Sequence, residues 1–273
     1  MCSSDLNGAG LSSSASIEMV TAVALNELFE AGFSTLDLVR MSQKAENEFV
    51  GMNCGIMDQF AVGFGKKDHA IFLNCDTLDF ENVPLILNDC SLIITNTNKR
   101  RGLTDSKYNE RRAECEKAVE LLQTYRAVKN LSELGNEELP ELEKYIADPV
   151  VRKRAFHVIS ENGRVLEAVK VLKENNLARF GELMNQSHDS LKDDYEVTGI
   201  ELDTLVYEGR KLPGVIGTRM TGAGFGGCTV SIVLTKDTEN FMAKLAKAYT
   251  EKTGLIPDFY LPETGNGAGK LPY

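Results

Sequence analysis

Between Leu131 and about Gly209 the chain keeps a helical periodicity, broken at Pro140 and Pro149, and after Pro213 the pattern changes. A glycine-rich turn, TGAGFGG, leads into the apolar run CTVSIVL, then the helical stretch NFMAKLAKAYTEKTG and the short strand DFYLP. Strand, helix and strand after a helical block predict a mixed α/β (α+β) chain with two centres. The boundary falls near residues 90–100, around DCSLIITNTN, giving a first domain over 1–92 and a second over 93–273.

The part before that boundary reads in alternating elements. Ile17, Val20, Ala24 and Leu28 fall near helical spacing between Ser12 and Ala31, with the serines as N-cap. Ser34 starts a second helix through Leu36, Val39, Met41, Ala45 and Phe49. GMNCGIMDQF is a loop feeding a short helix, HAIFLNCD and SLIITNTN are strands, and DFENVPL is a further candidate strand. Asp105 is placed to cap a long helix holding Tyr108, Ala113, Val119 and Leu122.

Composition narrows the function classes. The 273 residues suffice for a sizeable core, and 26% charged with 42% hydrophobic residues is ordinary for a soluble globular protein. A net charge of -10 argues against nucleic acid or an anionic membrane as partner, while leaving room for a small anion at one local site. No stretch is long and apolar enough to span a bilayer, and the start lacks the pattern of a signal peptide. Cys2, Cys54, Cys75, Cys90, Cys115 and Cys228 are scattered, which suits reduced thiols in a cytoplasmic protein. His69, His157 and His188 show no metal-ligand spacing; His188, in NQSHDSLKDDYEV, suits a hydrogen-bonded place on a helix face.

The first chemical candidate is NGAGLSSSAS. Gly8 and Gly10 allow a tight turn and close backbone approach, and Ser12, Ser13 and Ser14 stand at a helix N-terminus, where free amides and the helix dipole favour an anion. The pattern predicts a phosphate cradle; a serine-rich cap with a glycine connector explains it equally well. It is not a Walker loop, since it has no lysine, and GAGK at Gly267–Lys270 is followed by Leu271 where Ser or Thr is required. Gly222, Gly224 and Gly227 match G-x-G-x-x-G, yet a strand follows them, so the dinucleotide-binding context fails.

Further candidates are carboxylates and one phenol. Asp58 in CGIMDQF can orient or deprotonate a hydroxyl, or simply cap a helix. Glu46 with a serine hydroxyl is a reasonable Mg2+ pair, or a solvated helix glutamate. Tyr108 can hydrogen-bond a polar ligand or sit as an interfacial aromatic, and Arg111 and Arg112 are better read as solvated or paired with Glu110 and Glu114 than as catalytic.

In this order the stretches NGAGLSSSAS, CGIMDQF, KYNERRAECE, SHDSLKDDYEV and RMTGAGFGGCTV resemble successive motifs of the galactokinase family, within the GHMP kinase superfamily, from about Asn7 onward. The resemblance implies a GHMP kinase two-domain fold: an α/β, S5-like N-terminal domain that binds ATP and a C-terminal domain with a ferredoxin-like core. It implies galactose and ATP as small-molecule substrates, Mg2+, and galactose 1-phosphate as product. Gly8, Ala9, Gly10, Leu11, Ser12, Ser13 and Ser14 would form the ATP phosphate loop, Ser14 and Glu46 would hold Mg2+, and Asp58 would be the catalytic aspartate facing the C1 hydroxyl. Gly55 and Tyr108 would join Asp58 in contacting galactose, and Gly222 to Gly227 would shape the site from the second domain. A cytoplasmic monomer is the expectation. The alternatives are a GHMP kinase for another sugar, such as N-acetylgalactosamine, and a non-catalytic galactose and ATP sensor.

The chain departs from the family at its front. A motif of the form G-R-x-N-L-I-G-E-H-T-D-Y, which supplies an arginine for the catalytic aspartate and acidic groups for the sugar, is absent. The residues MCSSDL resemble the translated end of a sequencing adapter and are expected to be non-native. The expectation is therefore an N-terminally truncated chain, a fragment with a partial N-terminal domain, poorly soluble and inactive alone.

Overall fold

The computed structural model describes residues 11–52, 54–99 and 104–270. By internal contacts the chain divides into two compact units, Met1–Asn88 with Leu261–Tyr273, and Asp89–Tyr260. Whereas the sequence reading runs the second domain to the C-terminus, the segment from Leu261 belongs to the first unit. Its Gly267 and Ala268 amides donate to the carbonyls of Gly65 and Val62 at 2.6 and 2.7 Å.

The first unit opens with α1 (Ser13–Leu28) and α2 (Thr35–Ala45). Ser34 caps α2 through a reciprocal pair with Asp37, which fixes the start of that helix. The helical path does not stay α to Phe49: from Glu46 to Val50 it widens into a π-turn that ends at the left-handed Gly51, and Phe49 stands 92% exposed. α3 (Met57–Phe64) follows, then the antiparallel strands β1 (His69–Leu73) and β2 (Phe80–Pro84). The core gathers Met19, Leu38, Val39, Ile56 and Phe60. This corrects the face read for α1. Ala15 and Met19 are its buried residues, while Ile17, Val20 and Leu28 are exposed.

The second unit holds β3 (Cys90–Asn96), α4 (Thr104–Gln123), α5 (Leu142–Tyr145), α6 (Pro149–Lys173), α7 (Leu177–Asp193), α8 (Ile200–Arg210), β4 (Val215–Thr221), β5 (Cys228–Leu234), α9 (Thr238–Thr253) and β6 (Asp258–Tyr260). The strands form one antiparallel sheet in the order β4-β5-β3-β6. Inward residues of the sheet and of α8 and α9 close a core of Ile93, Leu205, Val233, Phe241, Leu245 and Tyr249. A second core, with Leu122, Ile146, Ala155 and Ile159, joins α4, α5 and α6. The helical middle appears as read, with α6 capped by Asp148 and opened by Pro149. Strand β4 is an addition, since its glycine and polar residues hide it in the sequence. α4 begins one residue before Asp105, so that residue does not precede the helix.

Candidate active site

At the start of α1, Ser12 adopts a left-handed backbone, φ 57° and ψ 40°, which is uncommon for a residue with a side chain. Its hydroxyl makes no capping bond to the helix; its carbonyl accepts from the Ser16 amide and hydroxyl at 3.0 Å each. The predicted serine cap is therefore not formed. The amides of Ser13, Ser14 and Ala15 precede the first intrahelical bond, and the first turn carries no acidic side chain, so the helix end keeps its attraction for an anion. Ser14 is exposed and Leu11 and Ser13 are half-buried, whereas Gly8, Ala9 and Gly10 lie outside the described residues.

One turn along α1 from Ser14, and so on the same face, is Glu18. Its carboxyl accepts from the Gln59 amide at 3.3 Å. Burial first, then the contact with Glu46, push the Glu18 pKa up to about 7, against the lowering effect of Gln59. Glu46 sits where α2 passes into the π-turn, is 4% exposed, and its Oε2 is buried without a hydrogen-bond partner. Gln59 on α3 is 1% exposed, and its Oε1 is likewise unpartnered.

The loop before α3 is held against this cluster. The Cys54 amide donates to Asn47 Oδ1 at 3.0 Å, and its carbonyl accepts from Gln43 Nε2 at 3.3 Å. Burial, then the charge of Glu46, raise the Cys54 thiol pKa; Asp58 adds to the rise and a bond with Gln59 opposes it. Asp58 and Glu46 therefore both act on one thiol. Asp58 is exposed in the first turn of α3. Gly55 is exposed too, and a Cβ there would meet no heavy atom within 4 Å, which leaves its backbone open to a ligand.

The second unit brings two of the sequence motifs together. The Phe225 amide of the glycine turn donates to the Val197 carbonyl at 2.7 Å. Gly224, at φ 84°, comes so close to that carbonyl that a side chain has no space. His188 is fully buried; its Nδ1 accepts from the Met220 amide at 3.2 Å, and its Nε2 lies 3.3 Å from Asp203. Burial lowers its pKa despite Asp203. Tyr108 on α4 is half-buried and close enough to Tyr195, in the DDYEV stretch, to contribute to the raised pKa of that phenol, whose main cause is burial. Arg111 pairs with Glu110 and Glu114 at 3.1 and 2.9 Å, and Arg112 with Glu116 at 2.9 Å.

Residues 2–66 match the GHMP kinases N terminal domain, and residues 168–251 match the GHMP kinases C terminal family. The galactokinase of Fusobacterium nucleatum is 54% identical over 266 residues, covering 97% of this chain and 68% of its own length. The galactokinase of Clostridium acetobutylicum is 54% identical over 265 residues with the same coverage. The chain belongs to the galactokinase family. It is thus a member of a kinase, and so transferase, family. The crystal structure of Lactococcus lactis galactokinase complexed with galactose matches with a TM-score of 0.94 at 48% identity, over 97% of this chain and 68% of that one. L. major mevalonate kinase, at 17% identity and a TM-score of 0.58, shares the fold. No helix among the described residues is long and apolar enough to cross a membrane.

Sequence reasoning missed Glu18 and Gln59. The signal for Glu18 was its spacing of one helical turn from Ser14, and that for Gln59 its place beside Asp58 in the same motif.

Proposed function

We propose that this protein transfers the γ-phosphoryl group of ATP to the C1 hydroxyl of galactose, giving galactose 1-phosphate, and that it uses Mg2+. The observation that carries this reading is the meeting of Glu46, Gln59, Cys54 and Asp58 beside the serine-led helix α1, in a chain 48% identical to a galactokinase solved with galactose.

The residues present fit a magnesium ion. Glu46 Oε2 is a buried acceptor without a donor, and Ser14 lies one turn from the glutamate that touches Glu46. A magnesium ion at a nucleotide is held by one or two carboxylates together with phosphates and waters. Held by Ser14 and Glu46, Mg2+ would supply charge neutralisation at the β- and γ-phosphate oxygens.

The remaining roles belong to the chain itself. Gly8, Ala9, Gly10 and Leu11 bring the backbone up to the phosphates, and the amides and hydroxyls of Ser12, Ser13 and Ser14 donate to them. The left-handed Ser12 supports this, since a strained residue at a helix entry is a common feature of ligand-holding turns. Asp58 Oδ accepts or steers the C1 hydroxyl proton as the oxygen attacks in line. Gly55 offers its backbone to the sugar, and Tyr108 carries a sugar contact on the strength of its KYNERR motif. The scattered free thiols suit a cytoplasmic protein, taken here as a monomer.

The test is sugar-dependent ADP release by the protein expressed from its native locus, with galactose and N-acetylgalactosamine in parallel. Galactose turnover is expected, and Asp58→Asn should lower kcat by about 100-fold or more while galactose binding persists. Turnover confined to N-acetylgalactosamine would move the reading to another sugar kinase. Binding of galactose and ATP without turnover would replace it with a sensor.

A further inference from the structure

The loop between the π-turn and α3 is tied back to the helix before it by two amide side chains. Asn47, in the π-turn, accepts at Oδ1 from the Cys54 amide at 3.0 Å and from the Cys54 thiol at 3.3 Å. Gln43, four residues earlier on α2, donates from Nε2 to the Cys54 carbonyl at 3.3 Å. Residues four apart share a helix face, so the pair takes both backbone polar groups of one residue. Both side chains are half-buried.

An amide oxygen offers two lone pairs, and Asn47 Oδ1 spends both on Cys54. The Cys54 amide also shares its proton with the Met52 carbonyl at 2.8 Å. That bond lies within the loop and sets its local turn, whereas the bonds of Asn47 and Gln43 tie it to the helix. The π-turn prepares the return. The Glu46 carbonyl accepts from the Gly51 and Met52 amides, which closes the helix there, and the chain comes back to Asn47 at Cys54. Next along the chain is Gly55, whose backbone is open, and three residues on is Asp58 in the first turn of α3.

We propose that Asn47 is a positioning residue for the sugar side of the site: by fixing Cys54 it sets where the Gly55 backbone and the Asp58 carboxylate stand. The inference rests on the reading of Gly55 and Asp58 as sugar-facing. Gln43 acts in the same direction through one bond. A loop released from this clamp keeps its local turn, but it presents Gly55 and Asp58 in a spread of positions. A displacement of about 1 Å at reacting groups is enough to cost about 100-fold in rate. The serines proposed for the phosphates stand on α1, a different element, so the binding of ATP is spared.

The experiment is steady-state ADP release by the protein expressed from its native locus, with galactose and ATP varied separately. Four proteins are compared: wild type, Asn47→Leu, which keeps the size and removes the acceptor, Asn47→Asp, which keeps an acceptor, and Gln43→Met, which removes the second tie. Hydrogen exchange without substrate is followed by mass spectrometry in peptides that span Cys54 to Phe60, and circular dichroism melts check folding.

Asn47→Leu should raise the KM for galactose by about 10-fold and lower kcat/KM for galactose by about 100-fold, with the KM for ATP within about 2-fold of wild type. Its exchange from Cys54 to Phe60 should be faster by about 10-fold. Asn47→Asp should return the galactose KM to within about 3-fold of wild type, since a carboxylate accepts the same two bonds. A merely structural role would lower kcat with the share of folded enzyme and leave both KM values in place. Gln43→Met should show the same pattern more weakly, and it carries the test should Asn47→Leu fail to fold. A galactose KM unchanged in the folded variants, beside normal wild-type turnover, would overturn the proposal and leave the sugar-kinase reading standing. A raised galactose KM without faster exchange would overturn it too, because Asn47 would then act otherwise than through the loop. A wild type that turns over no galactose would overturn the reading of the site and the proposal together.

Discussion

His157 is a titratable group placed where it cannot easily charge. It is 5% exposed on α6, and its ring stacks on Tyr195 at 4.6 Å. Its Nδ1 lies 3.0 Å from Ser190 Oγ, whose own proton goes to Asp194 at 2.7 Å, so the ring nitrogen is the donor. Burial pulls its pKa from 6.5 to about 4; the charge of Glu161 opposes this, and Arg164, Arg219 and Arg154 add to it. Because the folded value is depressed, the stabilising contribution is complete above pH 6.5 and is lost as pH falls from there towards 4. The full loss is about 3 kcal/mol, and about 2 kcal/mol has gone by pH 5. His157→Gln should therefore lose less stability than wild type between pH 7.5 and pH 5, by about that 2 kcal/mol, in urea unfolding followed by circular dichroism. Parallel losses in the two proteins would show that this histidine does not sense the acid.

At the scale of elements, the contact of α7 with β4 depends on two glycines. Gly181 of α7 lies against Ile216 and Gly217, and a Cβ on it would press into the Ile216 carbonyl, well inside van der Waals contact. Ile216 is also the extra residue where the register of β4 against β5 shifts. Backbone atoms cannot swing aside as a side chain can, so Gly181→Ala should cost about 3 kcal/mol or more in urea unfolding. Gly265→Ala, with open space around the new Cβ and no positive φ, should stay within about 0.5 kcal/mol of wild type. The same contact explains why β4 was hard to read from sequence. A strand that takes a helix onto its backbone carries glycine and small polar residues, so VIGTRMT lacks the dense apolar signal of CTVSIVL. Other elements were legible because their cues are local: Ser34 marked the start of α2, and Pro149, read as a break, stands where α6 begins. The buried face of α1 was not, because apolar residues lie on several sides of it and tertiary packing chose Ala15 and Met19. In the candidate site, Asp58 stood out within CGIMDQF, and Glu46 as a carboxylate that could pair with a serine hydroxyl. The widened turn that carries Glu46, and its contact with Glu18, depend on packing among three helices and leave no local mark.

At the scale of the whole molecule, the apolar surface is unevenly distributed along the chain. In the first unit Ile17, Leu25, Leu28, Phe29, Phe33 and Phe49 are each at least half exposed, and Phe49 is 92% exposed. A leucine or phenylalanine that folding leaves in water forgoes about 1.5–3 kcal/mol of burial, so several on one small unit favour association. That surface supports the expectation that the polypeptide self-associates and is poorly soluble. Sedimentation velocity at micromolar concentration should then show association, and replacing Phe29 and Phe49 together by serine should shift the distribution towards monomer. Relief by the serines assigns the association to this surface, whereas a polypeptide that is monomeric with both phenylalanines in place would overturn the expectation.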